Sequence, residues 1–383
     1  MRKEIKYIGF YDLPDAKESR VSTLAAINKM DYIADAINKA GYDVHIVSPS
    51  WSSDNGVRAT AQHGGAIQLH PNKKVTFCPT ISTGNKITGY LKIIFSLVWL
   101  FFWLVKNVKR NEKIILYHVQ WLSLPIRWAK KIKGFQLILE VEEIYGDVSA
   151  IHPYFYVLEN KLLASADKYI FSTELLAQKI KSNKPYIIIY GEYKIYPKLG
   201  TPPDDGKIHL LYAGIIDTHK AGAFNAVEAA KYLPDEYEMH IIGFGEVDLL
   251  KNTIDEVNNL IGCQVSYDGI LSGEDYITYC QKCHIGLSTQ NMDGEYLNSS
   301  FPSKILSYMA LGLVVVSCNI ECVKISKIGE LIYYYDNNNP KEIADAIKSI
   351  DFYNLHDSAS EIQKLNEEFV LHLKDIFNEE RNN

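Results

Sequence analysis

The sequence predicts an α/β protein with two doubly wound parallel sheets, each covered by helices, lying side by side with a cleft between them. Three observations carry this. Short β-branched strands alternate with amphipathic helices along nearly all of the 383 residues. The stretch from Tyr196 to Gly206, with three prolines, two glycines and two aspartates, interrupts the rhythm, and the same rhythm then restarts. The length suits two domains, and 47% apolar residues supply two cores. The expected boundaries are 1–198 for the first domain, 207–350 for the second, and 351–383 for a C-terminal helix packing back on the first.

Each element has a local reason. Ile5 to Phe10 is the first strand, and Thr23 to Lys39 is a helix stopped by Gly41. Val44 to Val47 is a strand closed by Ser48-Pro49-Ser50, and Ser53 to Gly65 is a polar loop. A strand over Val75 to Cys78 precedes a long helix over 86–108. Ile114 to His118 and Leu137 to Val141 are strands on either side of a helix over Leu124 to Lys133. Tyr169 to Ser172 and Tyr186 to Tyr190 complete the first half. After the break, strands are expected at Leu210 to Ala213, Met239 to Ile242, Val265 to Tyr267 and Ile285 to Leu287. Helices are expected at Ala223 to Tyr232, Tyr276 to Cys283, Pro340 to Ile350 and Ser358 to Asn378.

The bulk numbers exclude several classes. No secretory apolar run follows Met1, so the expectation is a cytoplasmic protein whose six cysteines stay reduced. Cys280-Gln-Lys-Cys283-His284 spells a haem-attachment string, but that chemistry needs export. Cys280, Cys283, Cys318 and Cys322 have spacings compatible with zinc, yet they border buried strands and read as core thiols. No resident cofactor and no metal are expected.

Charge is uneven. Residues 73–133 hold twelve lysines and arginines against the single acid Glu112, a net +11, while the whole chain carries −6. Within this segment, Ile93 to Val105 is apolar except for Ser96. Thirteen helical residues span about 20 Å, short of a bilayer core. The run is therefore either a core helix or an interfacial element whose basic neighbours meet anionic lipid, with Trp99, Phe101, Phe102 and Trp103 at headgroup level. Nucleic acid is not an expected partner, because no base-reading motif accompanies the basic patch.

The most informative stretch runs from Ser299 to Ser317. Pro302 suits the first turn of a helix, Ser299 or Ser300 its cap, and Gly312 its end. Val314 to Val316 follows as a buried strand. A helix start bearing Ser303, Lys304 and Ser307 is a place to hold an anion. Other candidates stand at strand ends. Gly214 and Lys220 flank the first turn of the second domain, and Gly243-Phe-Gly245 follows its second strand. In the first domain His118 ends one strand, and Glu140, Glu142 and Glu143 end the next. Three adjacent carboxylates should raise at least one pKa, as a general base requires. Each of these also has a plain structural reading as a cap, a turn or a hydrogen-bonded core group.

Pro302-Ser303-Lys304, then Tyr308-Met309-Ala310 and Gly312, resemble the donor-site signature of GT-B glycosyltransferases, especially the family 4-like enzymes of bacterial surface polysaccharides. Leu211-Tyr-Ala-Gly214 with Lys220, and Val265 to Ser272, resemble the same family's phosphate and base turns, so the likeness covers Leu210 to Ile350 in order. It implies two Rossmann-like domains. It also implies a donor site of Gly214, Lys220, Gly243, Gly245, Ile270, Ser303, Lys304 and Ser307, with Asp12 and Arg20 on the acceptor or sugar side. His118, Glu142 and Glu143 would be the polar groups near the sugar. Three positions depart from the family. Ser299 and Ser307 stand where it has glutamates, and Ile215 where it has an arginine. The implied function is metal-independent hexosyl transfer from a nucleoside-diphosphate sugar to a glycan or lipid-linked acceptor, at the inner face of the membrane. A nucleotide-sugar 2-epimerase of the same fold and a non-catalytic nucleotide-binding subunit are the alternatives.

Overall fold

The computed structural model describes residues 2–14, 16, 20–53, 60–82, 85–148, 152–291, 300–337 and 339–378. The chain divides into two units, residues 1–192 with 368–383, and residues 193–367.

The first unit contains β1 (Glu4–Ile8), α1 (Leu24–Lys39), β2 (Asp43–Ser48), β3 (Thr60–Gln62), β4 (Gly65–His70), β5 (Lys73–Phe77) and β6 (Thr80–Ser82). It continues with α2 (Lys86–Asn107), β7 (Lys113–Tyr117), α3 (Ser123–Lys133), β8 (Gln136–Val141), α4 (Tyr145–Val148), α5 (Pro153–Ser165), β9 (Lys168–Phe171), α6 (Glu174–Ile180) and β10 (Tyr186–Ile188). Its main sheet has the order β10-β9-β8-β7-β1-β2-β5-β4. Every pairing is parallel except that of β4 with β5. Strands run outward from β1 in both directions, so the order reverses between β1 and β7, where such sheets open a crevice at the strand C-termini. Thr23 caps α1 by accepting from the Ala26 N–H, and Gly41 turns the chain with a positive φ of 99°.

Between this sheet and its helices lies a core of Leu100, Leu104, Ile126, Leu139, Leu162 and Phe171, among others. Only Ser96, Leu100 and Leu104 of α2 are fully buried. Trp99, Phe101 and Trp103 pack against the core in part. Ile87, Leu91, Ile94, Phe95, Val98 and Phe102 are all exposed and recur at helical spacing, forming one continuous apolar face. The sequence-based choice between a core helix and an exposed one is thus resolved along the helix axis, with one stripe in and the opposite face out. The helix is also longer than the thirteen-residue run. Its 22 residues are long and apolar enough to cross a membrane by length and composition.

The second unit contains β11 (Ile208–Ile216), α7 (Gly222–Ala230), β12 (Tyr237–Gly245), α8 (Val247–Asn258), β13 (Gln264–Tyr267), α9 (Gly273–Cys280) and β14 (Ile285–Ser288). It continues with α10 (Ser303–Ala310), β15 (Val314–Cys318), α11 (Glu321–Lys324), β16 (Ile332–Tyr335) and α12 (Pro340–Lys348). The sheet order β13-β12-β11-β14-β15-β16 is all parallel and reverses between β11 and β14. The expected linker stays with this unit, because the Gln281 Oε1 accepts from the backbone of Leu199 at 2.7 Å and Gly200 at 2.9 Å. The last helix, α13 (Ser358–Asn378), carries Phe369, Leu373, Ile376 and Phe377 into the first unit. There the Phe377 ring meets Tyr42 edge-on at 5.0 Å, and the Lys168 ammonium donates to the Ile376 carbonyl at 2.6 Å.

Candidate functional site

In the second unit Gly214, Gly243, Ile270 and Lys304, four of the predicted donor residues, lie near one another at the C-terminal ends of the strands. β11 ends in Gly214, whose φ is 153°. A Cβ there would meet the Lys304 ammonium at 2.5 Å, so the glycine lets that cation lie against the strand. The ammonium also sits 3.7 Å from the centre of the Tyr212 ring. Burial pushes Lys304 down to about 7, and the like charge of Lys220 adds to the effect. Lys220 itself is exposed, and its backbone N–H donates to Asp217 at 2.7 Å. Two cations therefore share one place, with no described carboxylate in ion-pair range of Lys304. An anion would relieve that strain.

Beside them is a cavity of about 200 Å³, lined by Gly214, Ile242, Gly243, Phe244, Ile270 and Tyr276, among others. The turn that bears Ile270 is fixed by the Gly243 N–H donating to Gly269 at 2.8 Å, and Tyr267 donates to the Gly243 carbonyl at 2.8 Å. Gly243 faces Gly214 across the β11–β12 ladder, and a Cβ on it would meet the Gly214 oxygen at 1.8 Å. Gly245 has the same relation to Ile216. Both positions require glycine, because a Cβ would collide with the facing strand's backbone.

α10 differs in detail from the sequence expectation. Pro302 is the N-cap residue rather than the first helical one, and no side chain caps the helix. Ser303 opens it and is exposed. The Ser307 hydroxyl donates back to the Ser303 carbonyl at 3.1 Å, so the serine at the family's carboxylate position is turned onto its own helix. Ser299 lies outside the described residues. Tyr308 belongs to the core. Its hydroxyl accepts from the Ala213 N–H at 2.8 Å and locks α10 onto β11.

In the first unit His118, Glu142 and Glu143 come together at the C-terminal ends of β7 and β8, but not as an open lip. His118 is 2% exposed. Its Nδ1 lies 3.1 Å from the Glu143 carbonyl, and its Nε2 lies 3.5 Å from a Glu159 oxygen, outside hydrogen-bond geometry. Burial lowers the imidazole to about 4, so it is neutral at pH 7. His118 thus ends its strand as expected, but packed under its neighbours, with one ring nitrogen on the Glu143 backbone and the other without a hydrogen bond. Glu142 pairs with the Lys29 ammonium at 3.2 Å. Glu140 is wholly buried against Tyr7 and is raised to about 8, first by burial and then by Glu142. Glu143 is raised for the same two reasons in the same order, and it is only partly buried. The predicted rise is present, with desolvation ahead of mutual repulsion as its cause.

Asp12 and Arg20 are both buried, and their described contacts fasten loops. Asp12 accepts from the backbone of Leu13 at 2.9 Å and Arg20 at 2.8 Å. The Arg20 guanidinium donates to the Ser50 and Cys78 carbonyls, both at 2.8 Å. Sequence reasoning missed Glu159, Tyr212, Phe244 and Tyr276. Glu159 lies on α5, a helix the sequence reading left unassigned. The three aromatics carry no motif, although Tyr212 and Phe244 sit inside the glycine turns already singled out.

Residues 207–350 match the model of the family described as Glycosyl transferases group 1. Solved structures match along the whole chain. One is described as trehalose-6-phosphate from E. coli bound with UDP-2-fluoro glucose, with a TM-score of 0.64, 12% identity and 98% of each chain covered. Another is the apo lipopolysaccharide outer core galactosyltransferase WaaB, at 0.62 and 14%, again covering 98% of both chains. Anabaena HepE in complex with UDP and glucose follows at 0.58 and 13%, with the same coverage. The fold is therefore that of the GT-B glycosyltransferases. A comparison with curated protein sequences returns no match.

Proposed function

We propose that this chain is a glycosyltransferase that takes a hexose from a nucleoside-diphosphate sugar and delivers it to a glycan or lipid-linked acceptor in cell-surface polysaccharide assembly. The observation that carries the reading is the half-buried Lys304, held near neutrality with Lys220 beside it, on the lip of a pocket formed by the glycine turns of a group 1 domain. During transfer the bond between the anomeric carbon and the diphosphate oxygen breaks, a bond to the acceptor oxygen forms, and the acceptor proton leaves to a base. Lys304 and Lys220 stabilise the departing diphosphate. Ile270 and its turn bound the base pocket, and Glu143 is the carboxylate best suited to a sugar-facing or basic role. Two of the similar structures hold UDP or a UDP sugar, and WaaB acts on lipopolysaccharide outer core, which supports the donor class and the acceptor class respectively.

The exposed face of α2 supports an acceptor presented at a membrane. Trp128 and Ile132 on α3, which packs beside α2, are exposed apolar residues too, and Lys106, Lys109, Arg110 and Lys131 of the same basic segment are exposed. Lys73 and Lys74 are instead paired with Asp31 and Glu4, so the usable basic charge is less than the segment's formal total. The protein is then cytoplasmic and peripheral on the inner leaflet. The test is product formation from a panel of nucleoside-diphosphate sugars with and without lipid-linked acceptor. Tight nucleotide binding with no turnover favours the non-catalytic reading, which Ile215 and the inward-turned Ser307 support. Epimer formation without acceptor favours the epimerase.

A further inference from the structure

We infer that His209, Glu238 and His240 form a zinc site at the N-terminal ends of β11 and β12, the end of the second sheet opposite the pocket at the glycine turns. Their ligand atoms all lie within 4.8 Å of one another. The sheet places them there. Glu238 and His240 are two apart on β12 and share a face, and His209 is the register partner of Glu238 on β11. The His209 Nδ1 and the His240 Nε2 point at each other across 2.8 Å.

The outer nitrogens complete the pattern. The His209 Nε2 lies 3.1 Å from an Asp205 carboxylate. The His240 Nδ1 faces the Ser266 hydroxyl at 3.1 Å, the Tyr279 hydroxyl at 3.1 Å and the Asp268 carboxylate at 3.4 Å. Metal-binding histidines are oriented in this way, with the second nitrogen held by a carboxylate. The His284 ring stacks on the His209 ring, with centroids 5.9 Å apart, and its Nδ1 accepts the His209 backbone N–H at 3.0 Å. Two imidazoles and one carboxylate suit zinc, with water as the fourth ligand. A tetrahedral zinc with bonds of about 2.1 Å needs neighbouring ligands roughly 3.4 Å apart. The two nitrogens therefore have to part by only about half an ångström. From His209 to Gly214 is five strand residues, about 16 Å, so this zinc takes no part in donor binding.

Binding would tie the 201–207 segment, β11 and β12 together. The test uses the full chain, stripped with chelator and dialysed against zinc chloride, with zinc counted per chain. One zinc is expected, with a higher melting temperature when it is bound. Glu238→Gln and His240→Ala should each weaken zinc binding at least ten-fold, and Asp205→Asn by about 10–100-fold through loss of orientation. His356→Ala, an exposed histidine elsewhere in this unit, should change nothing. Cobalt in place of zinc should give the visible bands of a four-coordinate ion. Glu238→Gln is near-isosteric and keeps the test readable if His240→Ala does not fold. No stoichiometric zinc, or zinc retained equally in the Glu238→Gln and wild-type chains, overturns the site. Nucleoside-diphosphate binding, measured in parallel, should be the same with and without zinc, so the two readings fail separately.

Discussion

The ammonium of Lys304 is where local chemistry is most finely set. Its pKa stands near 7 rather than 10.5, so it is charged below about 7 and increasingly neutral above. On the proposed function a diphosphate would bind the charged form and restore a higher pKa. Nucleotide binding at pH 8 should therefore take up as much as about one proton, read by calorimetry in buffers of different ionisation enthalpy. Heats independent of buffer would contradict this. Lys304→Ala should lower transfer by about 10²–10³-fold without unfolding the protein, since one cation at the departing charge contributes on that scale. Ser307→Glu restores the family's carboxylate. Nucleotide binding should survive it and tighten, and complete loss in a folded variant would show that this helix face meets something else.

Among the elements, α2 carries the clearest lesson. Its apolar run was visible in the sequence, but the direction of each side chain was not. Trp99, Phe101 and Trp103 are partly buried against the core, while Phe102 is 62% exposed. Periodicity gives a face its width, and only the packing of α3 shows which stripe is covered. Phe102→Asp combined with Trp128→Asp should cut co-sedimentation with anionic vesicles several-fold, while Leu371→Asp on α13 should not. Raising salt should release the wild type, because exposed lysines are screened over about 10 Å at 0.1 M. Equal recovery of all variants would return α2 to a purely structural role. Most strands were legible, because each is a short β-branched run between turn residues. β4 was not, since Gly65 to His70 is an edge strand exposed almost throughout and lacks a buried face to pattern it. The four-residue β16 and the short α6 were too brief for periodicity to register. At the site, Gly214, Lys220 and Lys304 were legible as glycine turn and helix-start cations. The burial of His118 was not, because it depends on α5 folding over the strand end with Glu159. Gly243→Ala tests the strand approach beneath the pocket. Its Cβ collides with backbone, so a loss of roughly 2–4 kcal/mol in unfolding free energy is expected.

At the scale of the whole molecule, the glycosyl transferases group 1 match is confined to residues 207–350, within the second unit. No Asp-x-Asp string occurs in the chain, and in the proposed function Lys304 and Lys220 would supply the charge that a divalent ion otherwise brings. Transfer should accordingly be indifferent to added magnesium or manganese, and a strict requirement for either would contradict that assignment. Donor binding at Lys304 is decided by calorimetric titration of the wild type and Lys304→Ala with UDP, GDP, ADP, CDP and TDP. At least one nucleoside diphosphate should bind the wild type with one-to-one stoichiometry, and at least ten-fold more weakly to Lys304→Ala. Binding of none of them, or equal binding to both proteins, would contradict it.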